Sequence, residues 1–321
     1  MLLGYAVLSF LVAFAVVRVL LLPFARFALD QPNERSLHVK PVPRTGGLAV
    51  LAGTAVAIPY AATSLWLPIL MAFLLALVSL YGDVWGLGSR LRLAAHIAAG
   101  ILIAWYVLSP MHPLEMVLLI VAVVWVTNLY NFMDGADGIA GGMAVVGFGA
   151  YAIAAGLSDK LALAALCTAI AAASAAFLLH NFHPARIFLG DVGSIPLGFL
   201  AAALGIVGWR NDAWPLWFPL LVFAPFNADA TITLLRRLLR REKVWRPHRE
   251  HYYQRIVRMG LGHRASALIG YAVMVFCAGS ALLGRAQPPA LQAAAFAAAS
   301  SVLAAVALWV DVRWARFADN S

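Results

Sequence analysis

Charge is the first thing that this sequence has little of. Asp, Glu, Lys and Arg make up 12% of its 321 residues, whereas hydrophobic residues make up 63% and the mean hydropathy is +0.87. Because soluble domains carry about 25% charged residues, this composition excludes an ordinary soluble protein and predicts a polytopic membrane protein. Long polar segments are missing as well, so we expect no separate soluble domain.

Cysteine is nearly absent too. Cys167 and Cys277 are the only two, and both fall inside apolar runs. This argues against a disulfide framework and against a cysteine metal site, so we interpret them as two packed thiols. The sequence also contains no internal repeat. The predicted organisation is therefore one transmembrane domain over residues 1–321.

What the sequence has instead is a succession of apolar runs. We predict an all-α fold of eleven transmembrane helices, over the runs 2–24, 46–63, 65–81, 94–109, 114–130, 138–156, 160–179, 193–209, 214–235, 265–284 and 290–310. Only Ser64 and Pro68 divide the two runs between 46 and 81. The first run has no basic residue before it and no clear cleavage site after it, which favours an uncleaved span.

Positive charge is unevenly distributed between the loops. If the eleven spans alternate, one set of loops holds 19 of the 23 Lys and Arg residues. The positive-inside rule makes this set cytoplasmic, with the N-terminus outside and the C-terminus inside. Most of the unusual polar residues lie in the same set, so we expect an active site on the cytoplasmic face. A transporter would need polar groups near the middle of the bilayer, where the predicted spans carry few charges.

The most informative segment is NLYNFMDGADGIAGG, residues 128–142, at the junction of two spans. Ionisable groups in such a place are costly and usually functional. Asp134 and Asp137 are three residues apart, so both could meet one cation if the turn is helical. We predict a divalent-cation or phosphate site here, with Asn128 and Asn131 at the substrate. Two solvated aspartates beside a glycine-packed helix are the alternative.

A second loop, HNFHPARIFLGDVG at 180–193, carries another candidate ligand. Asp191 precedes an apolar helix, whose N-terminus adds backbone donors for phosphate. Asn181 and Phe188 offer an amide and an aromatic face to a base. A simple helix cap at Asp191 is the alternative interpretation.

Asp83 and Arg44 belong to two further loops of the same set. Asp83 lies at a helix end in GDVWGLGSRLRL, where a cap or a solvated residue is the alternative to a catalytic role. Arg44 follows Arg35, His38 and Lys40 in the loop 25–45, and these cations could hold a phosphate or an anionic lipid. An ordinary positive loop explains them equally well.

The loop 236–264 is the longest and most basic. Its ten cations suit a polyphosphate substrate and anionic headgroups, and His248, Arg249 and His251 could grip a phosphate. An interfacial basic helix is compatible with this interpretation. A zinc site at the two histidines is not expected, because no thiol lies near and a third ligand is not evident.

Four segments together resemble the polyprenyl-phosphate N-acetylhexosamine-1-phosphate transferase superfamily, which starts bacterial surface polysaccharides on a lipid carrier. They are PNERSLHVKPVPRTGG, NLYNFMDGADGIAGG, HNFHPARIFLGDVGS and DATITLLRRLLRREKVWRPHREHYYQR. Their order and spacing are similar to those of the family, and the resemblance covers about residues 30–260. The last segment is most similar to the branch that initiates O-antigen and related polysaccharides.

The resemblance implies an activity, namely transfer of N-acetylhexosamine 1-phosphate from a UDP-sugar to undecaprenyl phosphate in the bacterial inner membrane, with release of UMP. It makes Asp191 similar to the family's Mg²⁺ ligand, with Mn²⁺ as an alternative ion. Asp134 and Asp137 match a second acidic motif, which implies catalytic roles for both and places Asp137 beside the metal. Asn181 and Phe188 match positions that contact uridine.

The implied partners are the UDP-sugar, the polyprenyl phosphate and the lipid bilayer, but no nucleic acid. A homodimer stays open, because an apolar face that pairs with a second copy looks the same as one that faces lipid. His248, Arg249 and His251 fall where the family has its histidine-rich cytoplasmic motif.

One departure from the family concerns two adjacent aspartates that usually follow the third span. Here the positions are Gly82 and Asp83, so the first carboxylate is missing. Three interpretations are open: Asp83 carries the catalytic role, the chain is a weakened member of the family, or it is a transporter of lipid-linked or anionic substrates.

Overall fold

The computed structural model describes residues 1–23, 28–30, 41–108, 112–243 and 248–318, with Leu108 described by its main chain alone. Arg35, His38 and Lys40 lie outside the described residues. Within them the chain is mostly α-helical. The helices are α1 (Leu2–Leu20), α2 (Gly46–Ala55), α3 (Ile58–Trp85), α4 (Ser89–Leu108), α5 (Pro113–Phe132), α6 (Ile139–Leu157), α7 (Leu161–Asn181), α8 (Asp191–Arg210), α9 (Trp217–Val222), α10 (Ala224–Leu239), α11 (Tyr252–Ile256), α12 (Gly262–Gly284) and α13 (Pro289–Ala318).

Three short elements of the described chain are not α-helical. Strands β1 (Leu29–Asp30) and β2 (Val42–Pro43) pair antiparallel, with Leu29 opposite Pro43. A π-helical turn, Val257–Leu261, joins α11 to α12. The strands are two residues long, so they leave the predicted all-α class unchanged.

Nine helices of the described chain are long and apolar enough to cross a membrane, which confirms a polytopic membrane protein. The predicted count of eleven stays a prediction. The span expected over 46–63 corresponds to the short helix α2 and the first turns of α3, which has non-helical backbone at Leu65 (φ −128°, ψ 21°). The span expected over 214–235 divides at Phe223 into α9 and α10. Pro59 and Pro225, which follow the junctions between α2 and α3 and between α9 and α10, have no N–H to donate to a continuing helix.

The loops gather at two opposite ends of the helix bundle. At one end, the Ser158 hydroxyl donates to the Ala213 carbonyl oxygen (3.0 Å) and Arg285 Nη1 lies 3.0 Å from the Ser158 oxygen. At the other end, the Gly46 amide donates to the Phe188 carbonyl oxygen (2.9 Å). These are the two groups of loops that alternation of the spans predicts, whereas the membrane side of each group remains a prediction.

Helix α8 lies at the centre of the bundle and packs against α3, α5 and α2. The N-terminus of α8 approaches α2 very closely, because a Cβ at Gly47 would lie only 2.3 Å from the Cα of Gly193. Cys167 and Cys277 are free and buried, as predicted. The close packing of glycines fixes the start of α8, where Asp191 lies, against the neighbouring helices.

Candidate active site

Asp191 is the first residue of α8. It follows Gly190, whose φ of 72° favours glycine and whose missing Cβ would otherwise lie 2.0 Å from the Arg44 carbonyl oxygen. The turn therefore fixes the Asp191 carboxylate at the end of the bundle where α2, α3 and α8 meet. The helix N-terminus adds a favourable field for an anion near this point.

Two side chains hold the Asp191 carboxylate. Arg92, from the first turn of α4, forms an ion pair with Asp191 Oδ2. The Asn131 amide, from the end of α5, donates to Asp191 Oδ1 (2.9 Å) and lies 2.8 Å from the Ser194 hydroxyl. Asp191 is therefore more than a helix cap, because side chains from two other helices converge on it.

Asp83 lies beside Arg44 near the end of α3. Arg44 Nη2 donates to the Asp83 carbonyl oxygen (2.8 Å), and Arg44 Nη1 lies 3.8 Å from Asp83 Oδ1 and 3.9 Å from Asp30 Oδ1. Asp83 is 7% exposed, and neither carboxylate oxygen has a well-formed hydrogen bond within the described residues. A buried carboxylate in this condition is costly unless a cation or ligand compensates it.

Asp134 belongs to the same group of acids. Burial raises the pKa of Asp134 well above its ordinary value, and the charges of Asp191, Asp30 and Asp83 raise it further. We call these four residues the acidic cluster. Their donors are hard carboxylate oxygens, the type that Mg²⁺ and Mn²⁺ prefer. Because the Asp83 oxygens lack a well-formed hydrogen bond within the described residues, these donors suit a divalent cation.

Asp137 has different neighbours. Its Oδ2 lies 2.6 Å from His183 Nδ1 and accepts from the Ala185 amide (3.1 Å), and its Oδ1 lies 3.5 Å from His263 Nδ1. The expectation that Asp134 and Asp137 share one cation required a helical turn. That expectation is not met, because the described backbone from 134 to 138 is not helical and the two side chains contact separate groups.

Asn181 and Phe188, which were expected to contact the uridine, both form hydrogen bonds to main-chain groups of neighbouring loops. The Asn181 amide accepts from the Gly138 N–H (3.0 Å) and donates to the Ile187 carbonyl oxygen (2.9 Å), and its side chain is buried. The Phe188 N–H donates to the Pro43 carbonyl oxygen (2.7 Å). Asn181 therefore joins two loops of the site, while the uridine contacts stay a prediction.

Asn128 lies deeper, near the acidic cluster. Its amide donates to the Val124 carbonyl oxygen (2.7 Å), and its side chain lies close to His96 of α4. His96 is 5% exposed, its Nδ1 has no partner within the described residues, and it lies close enough to feel the charges of Asp191 and Arg92. In the sequence, its i, i+4 spacing from Arg92 places both side chains on one face of α4.

The predicted phosphate-gripping residues flank the start of α11. Both carboxylate oxygens of Asp229 accept backbone N–H groups of this helix, from Tyr252 (2.9 Å) and Tyr253 (3.1 Å). His251 is buried, with Nδ1 3.3 Å from Asp229 Oδ1. The Tyr253 hydroxyl donates to the Phe132 carbonyl oxygen (3.1 Å), so this segment packs against the loop that carries Asp134.

His248 and Arg249 precede that helix. Burial, together with the charges of His251 and Arg237, lowers the pKa of His248 to about 4, so this imidazole is neutral near pH 7. The half-buried Arg249 offers its carbonyl oxygen to Arg258 Nη1 (3.0 Å). If a phosphate binds here, Arg249 therefore supplies the positive charge and the neutral His248 supplies a hydrogen bond.

The space beside Gly82 is occupied by an arginine. A Cβ at Gly82 would lie 2.8 Å from Arg92 Nη2 and 3.0 Å from the Leu87 Cβ. A carboxylate at position 82 would therefore adjoin the same guanidinium that pairs with Asp191. The missing aspartate and the Arg92–Asp191 ion pair are linked features of this site.

Comparisons with known proteins agree on one family. Residues 65–209 match the family described as Glycosyl transferase family 4. The chain is 32% identical to the decaprenyl-phosphate N-acetylglucosaminephosphotransferase of Mycolicibacterium smegmatis, over 79% of this chain and 74% of that protein. It is 28% identical to the probable undecaprenyl-phosphate N-acetylglucosaminyl 1-phosphate transferase of Bacillus subtilis (77% and 74%). It is 29% identical to the undecaprenyl-phosphate alpha-N-acetylglucosaminyl 1-phosphate transferase of Yersinia pestis (75% and 72%).

Proposed function

The chain belongs to the polyprenyl-phosphate N-acetylhexosamine-1-phosphate transferase superfamily, and from this premise we propose the reaction that it catalyses. It transfers N-acetylhexosamine 1-phosphate from a UDP-sugar to undecaprenyl phosphate and releases UMP. The observation that carries the proposal is the position of Asp191, on which Arg92 and Asn131 converge, together with the buried carboxylate of Asp83 that lies beside Arg44. This site lies at one end of an apolar bundle, where a soluble nucleotide and a membrane lipid can meet.

Mg²⁺, with Mn²⁺ as an alternative, is the metal that the acidic cluster suits. Asp83, Asp134 and Asp191 would hold it, and when bound it supplies neutralisation of the diphosphate charge. Arg92 contacts one oxygen of Asp191, so a cation at that oxygen has to take the place of the guanidinium. Asp137 is assigned no part in this site, because its partners are His183, Ala185 and His263.

The chain's own residues position the two phosphates. An oxygen of the lipid phosphate attacks the β-phosphorus of the UDP-sugar; the new P–O bond forms as the bond to UMP breaks. A phosphate monoester has a second pKa of about 6, so the attacking oxygen needs no strong base near neutral pH. Arg44 and Arg92 are the cations beside the acidic cluster, and they orient and screen the phosphates. A two-step route through an aspartyl phosphate is equally compatible.

The finer assignment is the initiation of an O-antigen-type polysaccharide at the cytoplasmic face of a bacterial inner membrane. It is supported by the segment 229–255, which resembles that branch of the family, and by bacterial relatives named for undecaprenyl phosphate. The three relatives named above all act on N-acetylglucosamine by their names, which favours UDP-N-acetylglucosamine among the donors.

The first test is an assay of the purified full-length protein in detergent. UDP-N-acetylglucosamine and other UDP-sugars are each supplied with undecaprenyl phosphate, and UMP and lipid-linked sugar are measured. The proposal predicts equal amounts of both products, formed only with Mg²⁺ or Mn²⁺. A transporter, the second candidate function, would release no UMP from the UDP-sugar in this assay.

A further inference from the structure

A second group of metal-binding side chains lies outside the acidic cluster. We call Asp137, His183 and His263 the histidine cluster. One carboxylate oxygen and one imidazole nitrogen from each histidine all lie within 4.8 Å of one another. The members come from three separate parts of the chain, namely the loop after α5, the loop after α7 and the start of α12.

The cluster is held in a defined arrangement. Asp137 is 6% exposed, and the Ala185 amide donates to its Oδ2 (3.1 Å). The two imidazole rings are stacked, with centroids 5.3 Å apart and planes within 6°. His183 Nδ1 faces the Asp137 carboxylate, whereas His263 Nδ1 accepts the Asp137 backbone N–H (3.3 Å) and lies 3.5 Å from its Oδ1. The His183 side chain is 41% exposed, which gives an ion access from outside.

We propose that the histidine cluster binds a transition-metal cation of the Zn²⁺ type. Zinc binds imidazole nitrogen and carboxylate oxygen at about 2.0–2.2 Å, which places two tetrahedral ligands about 3.3 Å apart. The separation between His263 Nδ1 and Asp137 Oδ1 is 3.5 Å. The 2.6 Å separation between His183 Nδ1 and Asp137 Oδ2 is a hydrogen-bond distance, so the bound ion replaces the proton shared by these two atoms.

The donor set separates this site from that of the acidic cluster. Two imidazole nitrogens favour Zn²⁺ and its neighbours in the first transition row, whereas carboxylates favour Mg²⁺ and Mn²⁺. Three protein ligands leave one coordination position open. An ion here would tie the loops after α5 and α7 to the start of α12. The proposal is independent of the sugar-phosphate transfer, and each can fail alone.

Cobalt titration tests the proposal, because Co²⁺ takes the place of Zn²⁺ and is coloured. The purified full-length protein is kept in excess Mg²⁺, so that the acidic cluster is occupied, and Co²⁺ is added. We expect one Co²⁺ site per chain, with the visible absorption that is typical of low-coordinate Co²⁺. Added Zn²⁺ should abolish this absorption, because it competes for the same site. His183→Gln and His263→Gln should each weaken binding about tenfold or more. His112→Gln, at an exposed histidine that caps α5, is the matched control and should bind as the parent does.

A measurement on the unaltered protein covers the case in which a variant fails to fold. Histidine acylation is mapped by mass spectrometry with and without Zn²⁺, and we expect protection at His183 and His263 but not at His112. The proposal is overturned if the parent shows no Co²⁺ absorption of this kind, or if this absorption persists in a protein that carries both His183→Gln and His263→Gln. The proposal is also overturned if Zn²⁺ protects neither histidine from acylation. The same holds if Co²⁺ binding is lost in Asp191→Asn but kept in His183→Gln.

Discussion

Asp134 and Asp137 are three residues apart in one loop, yet they serve different groups of side chains. Asp134 lies near the carboxylates of the acidic cluster, whose charges raise its pKa. Asp137 lies against two imidazoles and a backbone amide. Two residues that are close in the sequence of a glycine-rich turn therefore need not share a ligand. The acidic cluster and the histidine cluster can accordingly be changed one at a time.

The largest expected effect is the loss of transfer activity in Asp191→Asn. The amide keeps the size of the side chain but removes the charge that Arg92 and a cation require, so we expect kcat to fall about a hundredfold or more. Asp159→Asn is the matched control. Asp159 is exposed at the opposite end of the bundle and has a φ of 56°, which Asn tolerates. UMP release measures both variants, and an active Asp191→Asn protein would contradict the assignment.

Asp83→Asn is expected to change transfer activity and thermal stability in different directions. The carboxylate is buried without a well-formed hydrogen bond, so removing its charge lowers a desolvation cost of the folded state. We expect the Tm without Mg²⁺ to stay level or rise, while transfer falls about tenfold or more. A large drop in Tm together with full activity would show that Asp83 is a structural residue.

Gly82→Asp sharpens the comparison by adding a carboxylate beside Arg92. The new side chain adjoins Nη2 of that arginine and competes with Asp191 for it, so Asp191 becomes more available to a cation. We expect the Mg²⁺ concentration for half-maximal activity to fall several-fold. A large gain in turnover would identify the parent as a weakened enzyme, whereas unchanged kinetics would favour a mechanism that Asp83 carries without a second aspartate.

His248→Gln gives the smallest effect, on the pH dependence of stability. The pKa of His248 is lowered from about 6.5 to about 4 in the folded chain. As the pH falls through this interval, the unfolded chain takes up a proton that the folded chain does not, so the folded state loses stability. We expect the Tm of the variant to fall less than that of the parent between pH 6.5 and pH 4. Parallel Tm curves would contradict a neutral, buried His248.

The sequence predicted the membrane class, the family and the convergence of the loops, because apolar length and short motifs are local features. It could not predict the separate neighbours of Asp134 and Asp137, which depend on a non-helical turn. The sequence motif predicted that Asn181 contacts the uridine. It could not predict that the oxygen and the nitrogen of the Asn181 side-chain amide both form hydrogen bonds to main-chain groups. His183 and His263 are 80 residues apart, and the packing of α6 against both α7 and α12 brings them together.

We propose that the acidic cluster, and Asp191 above all, is required for transfer of the sugar phosphate. The decisive measurement is UMP release from UDP-N-acetylglucosamine with undecaprenyl phosphate, for the parent, Asp191→Asn and Asp159→Asn in one set of Mg²⁺ titrations. We expect Mg²⁺-dependent release in the parent and in Asp159→Asn, and almost none in Asp191→Asn. Release that needs no divalent cation, or that Asp191→Asn retains in full, would rule out this role for Asp191.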